Sequence, residues 1–73
     1  MREINKSKEK ILKAALKIFV VKGYSETRMD DIALGANLSK GAVYHHFSSK
    51  EKLFFSLIDY WEDSFLPEFY KQN

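Results

Sequence analysis

The sequence predicts an all-α domain: a bundle of three helices followed by the start of a fourth. Three observations carry this. Apolar residues recur at helical rather than alternating spacing in successive segments. The 73 residues include one Pro and three Gly, too few turn residues for a domain of many short strands. Aromatics make up 15% (six Phe, four Tyr, one Trp), which lets a short chain fill a helical core.

The first helix is expected over about 7–22. Ile11, Leu12, Ala15, Leu16, Ile18 and Phe19 form one face at ~3.6 residues per turn. Lys8, Lys10, Lys13 and Lys17 lie mostly off it. Ser7 is the expected N-cap, and Gly23 stops the helix by adopting the left-handed conformation cheaply. After Tyr24, Ser25 and Glu26, Thr27 is expected to cap a second helix over about 28–36, with Asp30 completing a capping box. Ile32, Ala33 and Ala36 are its apolar face. Gly35 is expected to keep it short, and Asn37 tolerates the left-handed turn that follows.

Leu38 plugs that turn, and Ser39 caps a third helix over 40–46. Ser48 to Glu51 reads as a capping box for the fourth. The stripe of the fourth helix is Leu53, Phe54, Leu57, Ile58, Trp61 and Phe65, and Pro67 limits it. The second and third helices with their short turn occupy about 20 residues, the size of a helix-turn-helix unit.

Composition narrows the function. Without cysteine there is no disulfide or thiolate metal site. No apolar run is long enough for a bilayer, and the polar start MREINKSKEK lacks a signal-peptide pattern, so a soluble cytoplasmic domain is expected. No nucleophile–base pair, phosphate loop or metal cluster suggests an enzyme. No cofactor is expected. The net charge of +2 is unevenly spread: residues 1–52 hold 11 Lys/Arg and six Asp/Glu, residues 53–73 one Lys and four acidic residues. A positive N-terminal part suits a polyanion, although a solvated lysine face gives the same count.

The third helix is more specific. Val43 and Phe47 fall together on the wheel as its core face. The opposite face centres on Gly41 and His45, flanked by Ala42 and Tyr44, and bears no large aliphatic group. Gly is a weak helix former, so its place near a helix start suits close approach by another surface. In a helix-turn-helix, that surface is the major groove. Lys40 can carry its ammonium to a guanine edge or a phosphate, and the Ala42 methyl can touch a thymine methyl. Tyr44 and His46 offer donors for phosphate oxygens. His45 can reach a base or the backbone. Thr27 and Lys50, at the starts of the second and fourth helices, add a hydroxyl and an ammonium where free amides attract anions. Arg28 can give a bidentate phosphate contact or approach a base. The candidate DNA-binding set is Thr27, Arg28, Ser39, Lys40, Gly41, Ala42, Tyr44, His45, His46 and Lys50. Alone, each has a plainer reading: Thr27 and Ser39 as caps, Arg28 and Lys50 as solvated charges, Tyr44 as a half-buried ring. The adjacent histidines point about 100° apart, and no third ligand sits at a supporting spacing. No metal is expected.

Gly23-Tyr24, Thr27-Arg28-Met29-Asp30-Asp31-Ile32-Ala33, Leu38-Ser39-Lys40-Gly41-Ala42-Val43-Tyr44-His45-His46-Phe47 and Ser49-Lys50-Glu51-Lys52-Leu53 together resemble the DNA-binding domain of the tetracycline-repressor (TetR) family over about residues 7–60. The resemblance implies a helix-turn-helix domain over 1–52 and a fourth helix over 50–73 that leads to an effector-binding and dimerisation domain absent from this chain. It implies that positions matching Thr27, Arg28, Tyr44, His46 and Lys50 meet the DNA backbone, and that those matching Lys40, Gly41, Ala42 and His45 face the major groove. The implied partners are a double-stranded palindromic operator, a second copy of the full-length parent and a small-molecule effector. The implied setting is the bacterial nucleoid. Asn37-Leu38 stands where the family commonly has Gly-Val. The chain is accordingly expected to be a fragment, with Phe54, Leu57, Trp61 and Phe65 of the fourth helix exposed. The rival expectation is a helical protein-interaction or dimerisation module without DNA binding.

Overall fold

In a computed structural model of the chain, residues 6–65 are described in their backbone and residues 6–60 in their side chains. Four helices follow in order: α1 (Lys6–Lys22), α2 (Met29–Ala36), α3 (Lys40–His46) and α4 (Lys50–Phe65). The described residues are all-α. The expected cap at Ser7 is corrected: the helix already includes Lys6, so Ser7 lies within it.

α1 is the central strut, packing against α2, α3 and α4. It contributes Ile11, Leu12, Ala14 and Ala15 to the core. α2 adds Met29, Ile32, Ala33 and Ala36, and α3 with its C-cap adds Val43 and Phe47. Leu53 and Leu57 of α4 complete the same core, so no packing boundary falls near residue 52. The expectation of exposed Phe54 and Leu57 is corrected accordingly. Leu57 is buried, and Phe54 is half-buried in an aromatic cluster with Phe19 and Tyr24, ring centroids 5.1 to 5.9 Å apart. Among the described residues of α4, the exposed large apolar side chains are instead Phe55 and, more marginally, Ile58. The side chains of Trp61 and Phe65, and Pro67, lie outside the described residues.

Gly35 does not act by shortening α2. A Cβ built there would lie 3.1 Å from Ile18 Cδ1 and 3.5 Å from the Ala14 methyl. The missing side chain lets α1 and α2 approach closely, at some cost in helix propensity.

The turn between α2 and α3 is closed by backbone chemistry. Asn37 adopts φ 59°, ψ 43°. Its N–H donates to Leu34 O (3.1 Å), and the Leu38 N–H donates to Ala33 O (3.0 Å). This pair of bonds is the Schellman arrangement, with Asn in place of the usual glycine. Leu38 then packs on the core, as its place in the turn predicts. Gly23, at φ 90°, ends α1 with its N–H on Phe19 O (2.8 Å).

Candidate nucleic-acid interface

α3 is aimed by its buried side. Val43 is fully buried and Phe47 nearly so, which fixes the rotation of a seven-residue helix about its axis. The opposite side is the one predicted. Gly41, Tyr44 and His45 are exposed, and Ala42 and His46 are half-buried. A Cβ at Gly41 would meet only Ser39 Oγ, at 3.9 Å. The tip of α3 is thus open backbone flanked by polar rings, with the His45 and His46 ring centroids 5.3 Å apart. Ser39 Oγ accepts the Ala42 N–H (3.0 Å), so this residue is a true N-cap on the edge of that surface.

Lys40, the first residue of α3, does not extend freely. Its Nζ lies 2.9 Å from Asp30 Oδ1, and both side chains are more than half exposed. The hydrogen bond to Asp30 is the main reason the ammonium is held above the usual lysine range. An exposed pair of this kind is weak, so the lysine can leave its carboxylate for a stronger anion at little cost.

Around α2 the structure redistributes the predicted roles. Thr27 does not cap the helix. Arg28 is the N-cap, with extended backbone, and the carboxylate of Asp31, not Asp30, accepts the Arg28 N–H (2.9 Å). Thr27 is 1% exposed, and its hydroxyl donates to Gly23 O (2.7 Å). That side chain is committed to the turn after α1 and offers nothing at the surface. Arg28 is exposed beside it. Asp31 also receives Lys22 Nζ at 3.0 Å. The backbone bond from Arg28, reinforced by Lys22, holds its carboxyl below the ordinary 3.8.

Lys50 also differs from its reading as a solvated charge or a free anion contact. The half-buried ammonium donates to Tyr24 O (2.7 Å) and Thr27 O (3.0 Å) and sits 4.3 Å from the centroid of the Tyr24 ring. The capping box expected from Ser48 to Glu51 is replaced by a single cap: Ser49 Oγ accepts the Lys52 N–H (3.2 Å), and the lysine at that third position has no acceptor with which to complete a box. Sequence reasoning missed Tyr24 and Lys22, and gave the box carboxylate to Asp30 where Asp31 supplies it. Of these only Asp31 has a local signal, an acid three residues beyond the residue that proves to be the N-cap.

Among the described residues, no three His, Asp or Glu converge as a metal site. No helix among them is long and apolar enough to cross a membrane.

Residues 11–57 match the family model described as bacterial regulatory proteins, tetR family. The chain is 41% identical over 58 residues to the uncharacterized HTH-type transcriptional regulator YerO of Bacillus subtilis, and 48% identical over 59 residues to the uncharacterized HTH-type transcriptional regulator YuxN of the same organism. Each match covers 80% of this chain and 20% of the relative. It is 43% identical over 47 residues to IcaR of Staphylococcus aureus, the HTH-type negative transcriptional regulator of the biofilm operon icaADBC, covering 64% of this chain and 25% of that protein. The matched part thus spans a fifth to a quarter of the length of these relatives. No solved structure matches the chain significantly. With the family model covering most of the four-helix core, the chain belongs to the tetR family of bacterial regulatory proteins.

Proposed function

We propose that this chain is the DNA-binding part of a bacterial helix-turn-helix transcriptional regulator and docks α3 into the major groove of double-stranded DNA. The observation that carries the reading is the open tip of α3, where a Cβ built at Gly41 would meet nothing beyond its own stretch of helix but the Ser39 hydroxyl, at 3.9 Å. A duplex can approach that backbone closely. Lys40 and Ala42 then meet base edges, with His45 reaching a base or the backbone. Tyr44, His46 and Arg28 donate to phosphates on either side. Specificity comes from the first group and register from the second.

Repression is the favoured mode, in keeping with the negative regulator IcaR among the relatives. The longer protein would place two copies on a palindromic operator, its half-sites related by the dimer two-fold. A small-molecule effector bound elsewhere in that protein would change the relation of the two domains. Phe55, 67% exposed, and Ile58 leave apolar surface on α4 for that remainder or a second copy to cover.

The test is titration onto duplexes selected from a random pool, across a salt series. Affinity should fall with a log–log slope of about −0.9 per phosphate neutralised. Tyr44→Phe should weaken all sequences alike by about 1 kcal/mol, whereas Ala42→Arg should change which sequences are selected. A salt-independent signal, or a tight dimer with no DNA affinity, would instead favour the protein-interaction module.

A further inference from the structure

Lys50 is the most heavily committed cation in the described structure. An ammonium has three N–H donors. Two of them are spent on backbone carbonyls, Tyr24 O at 2.7 Å and Thr27 O at 3.0 Å. The ring of Tyr24, its centroid 4.3 Å away, faces the same nitrogen. Those partners lie 26 and 23 residues back along the chain.

The two carbonyls bracket the connection that leads into α2. Its first half is set by Gly23 at positive φ and by the Thr27 hydroxyl on Gly23 O (2.7 Å). Its second half delivers Arg28, the N-cap whose carbonyl accepts the Asp31 and Ile32 amides at 2.9 and 3.2 Å. One nitrogen at the start of α4 therefore holds the segment from which the exposed Arg28 projects. The aromatic cluster of Phe19, Tyr24 and Phe54 backs the same joint from the core side.

We propose that Lys50 is a positioning residue for the DNA interface: it pins the α1–α2 connection to the start of α4 and thereby sets where Arg28 meets the duplex, rather than contacting a phosphate itself. This rests on the DNA-binding reading above. It makes α4 mechanically continuous with one edge of the interface, through the Lys50 ammonium with the Phe54 ring packed on Tyr24 behind it. A lysine suits the role because two carbonyls and a ring converge on a point charge. Arginine spreads its donors over a planar fork and fits that point poorly.

The two roles predict different results for Lys50→Arg and Lys50→Met in the 73-residue chain. For a phosphate contact, Lys50→Arg keeps affinity and Lys50→Met lowers the magnitude of the salt slope by about one. For positioning, both variants weaken binding about tenfold and both lower the slope by about one, because Arg28 no longer meets its phosphate, and adding Arg28→Ala to Lys50→Met costs less than the product of the single losses and lowers the slope no further. Full affinity in Lys50→Arg, together with a reduced slope in Lys50→Met, would overturn the proposal. A second readout needs no DNA. Amide exchange at Thr27, Asp31 and Ile32 should quicken about tenfold in Lys50→Met while Ala42, Val43 and Phe47 exchange as before. Unchanged exchange at the first three, or equal acceleration at all six, would overturn the proposal too. If the unmodified chain binds no duplex at the lowest salt, the DNA reading falls while the exchange experiment still decides whether Lys50 holds the joint.

Discussion

The starts of α2 and α3 are built in opposite ways. At α2, nearly every group is tied: Arg28 N–H to Asp31, Asp31 to Lys22, the Thr27 hydroxyl to Gly23, the Thr27 carbonyl to Lys50. At α3, one hydroxyl caps the helix, one exposed ion pair holds Lys40, and Gly41 stands open. The turn joining them is rigid, closed by two backbone bonds around Asn37. For the proposed docking of α3 the difference is useful: the firmly held start would set the angle, and the bare one would leave room for the duplex.

Both starts depend on one core, so the largest effect should come from breaking it. Leu53 is fully buried in the cluster shared by all four helices. Leu53→Ala should cost about 2–5 kcal/mol, a large share of what so small a domain can hold. Thermal unfolding would show it. α2 and α3 should lose protection together in exchange measurements, and a melt confined to α4 would mean that the two starts are supported separately.

The two helical glycines sharpen the comparison. Gly35 sits against α1, with Ile18 Cδ1 only 3.1 Å from a built Cβ, whereas Gly41 faces open space. Gly35→Val should destabilise by about 1–3 kcal/mol through overpacking. Gly41→Ala should stabilise by as much as about 1 kcal/mol through helix propensity and yet weaken DNA binding. Opposite signs in melting temperature, with loss of binding at Gly41 despite a firmer fold, are the expected pattern. A Gly41→Ala variant that binds as before would show that the duplex does not approach this backbone.

How much of this was legible in the sequence follows the range of each interaction. The Ser39 cap, the left-handed Asn37, the Leu38 plug and the Val43–Phe47 face are decided within four or five residues, so residue type and spacing revealed them. Thr27 and Lys50 were read from position alone. Thr27 has a cap-like hydroxyl near a helix start, but the Gly23 carbonyl is closer to it once α1 has turned. Lys50 looks solvated until folding brings residues 24 and 27 to it. The role of Gly35 was invisible for the same reason, since a close approach belongs to two helices and not to one segment. Which exposed face of α4 needs covering was misjudged because Phe54 finds ring partners on α1 and in the loop that follows it.

The smallest expected effect concerns what holds the tied end. Asp31 is ionised in the fold more readily than an ordinary aspartate, chiefly through the Arg28 N–H and then through Lys22. Because its folded pKa lies below the unfolded value of 3.8, the folded state binds fewer protons. The contribution is fully present above the unfolded pKa and is lost as pH falls through the folded one. Asp31→Asn should therefore melt slightly below the unmodified chain, by an amount constant above about pH 5 and closing as the pH drops under about 4. The ion pair with Lys22 is partly exposed, so added salt should shrink the difference without abolishing it, because the backbone bond to Arg28 is the larger part. A gap that persists undiminished into acid would mean that the carboxylate's charge does not hold the start of α2. The contrast with the loosely held start of α3 would then rest on Thr27 and Lys50 alone.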